Sequence, residues 1–304
     1  MKRKIRVGSR ESVLAMAQSK WVIEKITSRY PELECELIGM KTTGDLLLDT
    51  RLENVGGKGL FIKELEQALL NQSIDLAVHS MKDLPAEIPD GLEIAAVSPR
   101  EDPRDVLITL QQTRFADLPE GAVIGTSSIR REVQIHEQRP DLTIKTLRGN
   151  VLTRINKLLN HEYDAIVLAA AGLKRLGLVD RCEQYFSIEE MIPAVCQGVL
   201  AVETRQADPL AEYLAPSVHC PETALAVAAE RAFMIKLNGG CTTPIAAHAV
   251  IEGERMKVYG LLAPTDKPGV YRAWLEGSKY QAAELGEQLA EQVQELSKRG
   301  MSHG

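Results

Sequence analysis

The stretch Ala122-Val-Ile-Gly-Thr-Ser-Ser-Ile-Arg-Arg131 decides the fold. Ala122–Gly125 is a short apolar run with β-branched residues at its centre, which reads as a strand. From Ser128 the apolar spacing changes, and a helix is expected as far as Arg139. Between the two lie a small residue and three hydroxyls, the residue types that start helices and offer donors there. Strand, polar turn and helix make half of a β-α-β unit, whose second strand must lie parallel to the first.

The same alternation runs outward in both directions. Downstream, Leu142–Leu147 is expected as a strand, Asn150–Asn160 as a helix and Ala165–Ala169 as a strand; Val106–Leu110 precedes them as another strand. Upstream, Lys4–Gly8, Leu33–Met40, Ile74–His79 and Leu92–Val97 read as strands. Helices are expected over Ser12–Tyr30, capped by Ser12 and stopped by Pro31, and over Leu60–Asn71. The polar, proline-containing stretch Glu101-Asp-Pro-Arg-Asp105 separates the two sets.

Beyond residue 220 the pattern changes. An Ala-rich helix over Glu222–Leu237 leads into the turn Gly239-Gly-Cys-Thr-Thr-Pro244. Three strands with hairpin-type turns follow (Ile245–Ile251, Met256–Ala263, Val270–Leu275), then an amphipathic helix from Gln281 to Lys298. That is a small α+β domain with an antiparallel sheet. The fold class expected is therefore α/β: two lobes with mainly parallel sheets plus the small C-terminal domain.

Composition bounds the function. The 304 residues suit two or three domains, and 44% hydrophobic with 26% charged residues is ordinary for a globular chain. The net charge of −6 argues against wholesale binding of nucleic acid, while leaving room for a local basic cleft. The longest apolar run, Ala165–Leu173, is far short of the ~18 residues of a membrane span, so no membrane partner is expected. The basic start Met1-Lys-Arg-Lys has no apolar signal region behind it, and a cytoplasmic location is expected. Cys35, Cys182, Cys196, Cys220 and Cys241 are odd in number and show neither C-x-x-C nor zinc-finger spacing, which fits reduced thiols rather than disulfides or a metal.

In open α/β sheets ligands sit beyond the carboxyl ends of strands, where helix N-termini point. Five such ends carry arginine or lysine: Arg10 with Ser12, Lys82 with Asp83, Thr126-Ser-Ser128 with Arg130 and Arg131, Arg148 with Arg154, and Lys174-Arg175. Guanidinium groups suit two-oxygen contact with carboxylate or phosphate, so these ends together read as an anion-binding cleft, and singly as solvated loops. Val55-Gly-Gly-Lys-Gly-Leu-Phe61 lacks the P-loop spacing and reads as a glycine-hinged loop or a plain helix lead-in. Asp83, a carboxylate among cations, is either an acid/base group or a loop residue backed by Pro85. Cys241, between paired glycines and Thr-Thr-Pro, is either a presented thiol or a packing residue. His79 closes a buried strand and reads as a core or loop-orienting residue.

The stretches Val55-Gly-Gly-Lys-Gly-Leu-Phe61, His79-Ser-Met-Lys-Asp83, Arg100-Glu-Asp-Pro-Arg-Asp105, Gly125-Thr-Ser-Ser-Ile-Arg-Arg131, Leu147-Arg-Gly-Asn150, Ala171-Gly-Leu-Lys-Arg175 and Gly239-Gly-Cys241, in this order, resemble the porphobilinogen deaminase (hydroxymethylbilane synthase) family. The resemblance spans nearly the whole chain. It implies two lobes like those of periplasmic binding proteins and a third domain, here 1–99 with 199–217, 104–193, and 220–304. It implies a dipyrromethane cofactor held by a thioether to Cys241, with no metal needed. On this primer, four units of the small-molecule substrate porphobilinogen are joined in turn, each losing ammonia, and the linear tetrapyrrole is released by water.

The resemblance also implies roles for residues. Asp83 matches the catalytic aspartate, which would stabilise the cation left by ammonia and accept a proton. Arg10, Ser12, Gln18, Lys82, Thr126, Ser127, Ser128, Arg130, Arg131, Arg148, Arg154, Arg175 and Gln197 match the cofactor- and substrate-binding set. Lys58 and Phe61 match a mobile loop, and a monomer is the family expectation. One departure stands out: Cys196 occupies a position where the family usually has glycine, beside Gln197. A binding module of similar fold remains the rival reading, with no task for Asp83 or the Gly-Gly-Cys loop.

Overall fold

The structure is a computed structural model that describes residues 4–42, 62–238, 244–266 and 269–300. It divides into two compact units. The first contains the described parts of 1–50, 56–101 and 198–224; the second contains those of 102–197 and 225–304. The chain passes between units at 101/102, 197/198 and 224/225.

The first unit holds strands β1 (Lys4–Arg10), β2 (Glu34–Met40), β3 (Leu76–Ser80), β4 (Leu92–Val97) and β10 (Leu200–Arg205), with helices α1 (Val13–Arg29), α2 (Lys63–Leu70) and α6 (Ala211–Ser217). The sheet order is β2-β1-β3-β10-β4. Helix α1 begins where expected, because the Ser12 hydroxyl accepts the Ala15 N–H at 3.2 Å and so satisfies a donor the helix cannot. Its inner face, with Val22 and Ile26, packs on Ile5, Val7, Leu76, Val78, Leu200 and Val202 to form the core.

The second unit begins with β5 (Asp105–Thr109), β6 (Val123–Gly125), β7 (Thr143–Lys145), β8 (Ala165–Ala169) and β9 (Gln184–Tyr185). Helices α3 (Ile129–Gln138), α4 (Val151–Leu159) and α5 (Ala170–Arg175) connect or follow them. The order here is β7-β6-β8-β5-β9. Its C-terminal part comprises α7 (Pro221–Lys236, from residue 225 onward), β11 (Ile245–Glu252), β12 (Arg255–Leu262), β13 (Tyr271–Ser278) and α8 (Ala282–Arg299). These three strands form an antiparallel sheet in sequence order. It packs on the rest of the unit through Ile192, Ala246, Leu261 and Ala263.

The α/β class and the small antiparallel domain are as expected, but the five-stranded sheets are mixed rather than mainly parallel. In each, two pairings are parallel and two antiparallel. The antiparallel pairings all involve β10 in the first sheet and β5 in the second. These are the strands that begin just after the chain has crossed from the other unit, so no local β-α-β turn dictates their direction. Strand β10 has no place in the sequence pattern described above, yet it lies between β3 and β4.

Candidate functional site

In the first unit, β1 and β3 pair in parallel, with Val7 opposite Leu76 and Gly8 opposite Ala77. Their carboxyl ends are therefore neighbours. Arg10 ends β1, Ser12 caps α1, and a 3-10 turn of Met81–Asp83 follows β3. Lys82 and Asp83 are both exposed, while Met81 anchors the turn in the core at 2% exposure. The Met81 N–H donates to the Val199 carbonyl at 2.9 Å. Gln18, buried on α1, donates through Nε2 to the Ser80 hydroxyl at 2.9 Å. One residue earlier, His79 Nε2 lies 3.0 Å from Glu203 Oε2, both buried. His79 thus orients the strand end from beneath, as its sequence position suggested.

In the second unit, β6, β7 and β8 are parallel neighbours, and the expected hydroxyls and cations follow their ends. Thr126, Ser127 and Ser128 lead from β6 into α3. The Ser128 N–H donates to the Thr126 hydroxyl at 3.1 Å, and the Ser127 hydroxyl donates to the Leu147 carbonyl at 2.5 Å. Arg148 and Arg154 flank the start of α4, whose cap is the Asn150 side chain accepting the Thr153 N–H at 3.0 Å. Arg154 Nε donates back to the Gly149 carbonyl at 2.8 Å. Arg175 ends the short α5 after β8 and is half-buried.

Arg130, Arg131 and Gln197 are placed differently. The two arginines are each 6% exposed and converge on Asp105, which is 0% exposed. Arg130 Nη2 lies 2.7 Å from Asp105 Oδ2, and Arg131 Nη2 lies 2.7 Å from Oδ1. Arg130 and Arg131 also donate to the Ile192 and Val167 carbonyls, both at 2.8 Å. Gln197 Nε2 donates to Asp105 Oδ1 at 2.9 Å and to the Pro103 carbonyl at 2.7 Å. Burial pushes the Asp105 carboxyl up, but the two guanidinium charges and the hydrogen bonds from Arg131 and Gln197 overcome it and hold the group far below the ordinary carboxylate range. Burial also pulls the Arg130 guanidinium down, against the attraction of Asp105. Two cations on one anion leave one net positive charge in this platform.

A cavity of about 610 Å³ in the second unit is lined by Thr126, Ser127 and Arg148 and, from the C-terminal part, by Pro244, Pro264 and Gly269. Its size is within the range of small-molecule sites. Pro244 lies three residues after Cys241 in the chain. Lys58, Phe61 and Cys241 themselves lie outside the described residues.

Asp105 and Glu230 were not singled out from the sequence. Asp105 was read only as part of a boundary, although a charge opening an apolar strand is a signal that it has a buried partner. Glu230 is the one acid within the apolar run Ala224-Leu-Ala-Val-Ala-Ala-Glu-Arg-Ala-Phe233, and it is 0% exposed. At Cys196, φ is 60°, a left-handed conformation that glycine adopts freely and other residues only under strain.

Residues 5–212 match the family model "Porphobilinogen deaminase, dipyromethane cofactor binding domain". Residues 224–295 match "Porphobilinogen deaminase, C-terminal domain". The chain is 47% identical over 298 residues to porphobilinogen deaminase of Pelobacter propionicus, covering 98% of this chain and 95% of that one. It is 48% identical over 287 residues to porphobilinogen deaminase of Syntrophotalea carbinolica, covering 94% and 91%. Among solved structures, the methionine-binding protein MetQ is similar at a TM-score of 0.44 and 14% identity, over 69% of this chain and 86% of that one.

Proposed function

The chain belongs to the porphobilinogen deaminase family, and we propose that Asp83 and Cys241 carry its chemistry here. The protein is a transferase of the hydroxymethylbilane synthase type with a dipyrromethane cofactor. The observation that supports the site assignment most is the cavity in the second unit, whose lining includes Thr126, Ser127 and Arg148 together with Pro244, the residue just before the strand that follows Cys241 in the chain. Hydroxyls, a helix N-terminus and a guanidinium are the donor set that pyrrole acetates and propionates require, so the residues present fit the group. Thr126, Ser127, Ser128, Arg148, Arg154 and Arg175 would bind those carboxylates. The net charge of the Arg130–Arg131–Asp105 platform would attract them.

When bound, the dipyrromethane would supply the free pyrrole α-carbon that joins the first porphobilinogen, and the terminal ring of the lengthening chain would supply it for each later unit. Asp83 stabilises the cation left as ammonia departs and then takes the proton that the new bond releases, which needs a carboxylate open to substrate. Its exposed place on an anchored turn meets that need. Arg10, Ser12 and Lys82 hold the incoming carboxylates beside it, and Gln18 fixes the end of β3 through Ser80. We place the three domains at 1–99 with 199–217, 104–193 and 220–304, and read the protein as a cytoplasmic monomer. Among the described residues no helix is long and apolar enough to cross a membrane.

Intact mass of the purified protein tests the attachment. Wild type is expected to exceed the polypeptide mass by two linked pyrrole units, and Cys241→Ser to lose that excess; a bare wild-type mass would favour a binding module instead. Asp83→Asn should keep the fold and the added mass while product formation falls by about 10²–10⁴. Near-normal turnover would remove Asp83 from the chemistry.

A further inference from the structure

Glu230 lies on α7, before the Cys241 loop in the chain, and has no part in the binding set. Its carboxylate is fully buried, with two backbone donors facing it and the buried His248 Nδ1 3.5 Å from Oε1. Oε2 accepts the Cys196 N–H at 2.6 Å, and Oε1 accepts the Ala249 N–H at 2.8 Å. Each donor lies outside the regular hydrogen bonding of a helix or a sheet interior. Cys196 is a left-handed residue in an irregular turn. Ala249 lies in β11, which forms one edge of its sheet, and its N–H points to the open side. Buried backbone donors must be met, and a carboxylate can accept from both at once with a separate oxygen for each.

These two donors belong to elements with functional neighbours. The residue after Cys196 is Gln197, which reaches Asp105 and so the platform that carries Arg130 and Arg131. Helix α7 ends at Lys236 and β11 starts at Ile245, so these are the two arms on either side of the loop that holds residue 241. We propose that Glu230 is a positioning residue: it clamps the Cys196 turn and β11 to α7, setting the arms of the cofactor loop in register with the Asp105–Arg130–Arg131 platform. The inference rests on the reading that Cys241 bears the cofactor. It also accounts for how position 196 carries a side chain at a φ of 60°, since the clamp holds Cys196 in a conformation glycine would adopt unaided.

The test uses the full-length protein. Glu230→Gln keeps the shape but sets an amide donor against one of the two N–H groups. Amide hydrogen exchange at both Cys196 and Ala249 should accelerate at least about tenfold, the worth of one lost charge-assisted hydrogen bond, with β5 amides unchanged. By intact mass, the cofactor-bearing fraction should fall well below that of wild type. Adding Cys196→Gly to Glu230→Gln should restore most of that fraction, because glycine holds the turn without the clamp; a purely structural role for Glu230 predicts no such rescue. Unchanged exchange at either amide, full occupancy of the single variant, or absence of rescue would each overturn the proposal. A wild type without added mass would instead refute the cofactor reading, and the exchange result would still decide whether the clamp exists. Should Glu230→Gln not yield folded protein, wild type is compared with Cys241→Ser. The Cys196 and Ala249 amides should gain protection together on loading, and equal protection in the two proteins would overturn the inference.

Discussion

Two guanidinium groups share the Asp105 carboxylate, and the Gln197 amide donates to it as well. Removing the negative charge leaves two buried cations without compensation, which is far worse than removing a surface pair. Asp105→Asn preserves shape and one acceptor, yet is expected to destabilise the protein by about 3–5 kcal/mol, read as a lowered urea midpoint at neutral pH. A loss under about 1 kcal/mol would mean that the arginines find other partners. By resemblance, Arg130 and Arg131 match the family's cofactor- and substrate-binding set. Residue type and the strand-turn-helix setting were readable in the sequence. The inward turn was not, because the carboxylate that draws them lies 26 residues from Arg131 in the chain. Local patterns carry no record of such a contact.

Elements built from local turns were legible. The strand at Leu92–Val97 and the strand at Ala165–Ala169 have the bounds that their apolar runs indicate. Helix α1 has its cap and α8 ends at Gly300 with φ 65°, the left-handed glycine that commonly closes a helix. Strand β10 was not legible as an element, since its partners are far away in the chain and its direction is set by the return from the second unit. Gly198, just before it, shows how that return is fitted. Its φ is 91°, and a Cβ there would stand 2.3 Å from the Glu101 carbonyl oxygen; the same two residues are joined by the Glu101 N–H donating to the Gly198 carbonyl at 3.1 Å. The neighbour is backbone and cannot swing away. Gly198→Ala should therefore cost about 2–4 kcal/mol, summing conformational strain and overpacking, with the lost stability visible in thermal unfolding. A neutral result would show that the crossing strands are looser than their contacts imply.

At the scale of the whole molecule the two five-stranded sheets share one plan: two parallel pairings at one side, then two antiparallel ones. Arg10 at the end of β1 thus corresponds in sheet position to Thr126 just after β6, and the Asp83 turn after β3 corresponds to α5 after β8. Both sheets also tie carboxylates to arginine, and this fixes how stability responds to acid. In the first unit, Asp75 meets Arg6 at 2.7 Å and Arg205 at 3.6 Å; burial raises its carboxyl, and the Arg6 hydrogen bonds and charge outweigh that and lower it. In the second unit, the charges of Arg130 and Arg131 likewise outweigh burial and hold the Asp105 carboxyl down. A carboxyl depressed on folding stabilises the protein above its unfolded value, near 3.9, and loses that contribution as pH falls further. Glu66 works in the opposite sense, raised chiefly by burial and then by the Glu203 charge, so it favours the folded state on mild acidification. Urea midpoints should consequently change little between about pH 5 and 7 and drop steeply below about pH 4. The sharper test compares wild type with Asp105→Asn. Their stability gap should narrow by up to about 1.4 kcal/mol for each pH unit below about 4, because protonation removes from wild type the same charge that the substitution removes. The two tryptophans report each unit separately, Trp21 on α1 and Trp274 on β13. The narrowing belongs to the Trp274 signal, followed in a Trp21→Phe background, and a gap constant from pH 7 to pH 2 would mean that Asp105 is not the carboxylate whose protonation loosens the second unit.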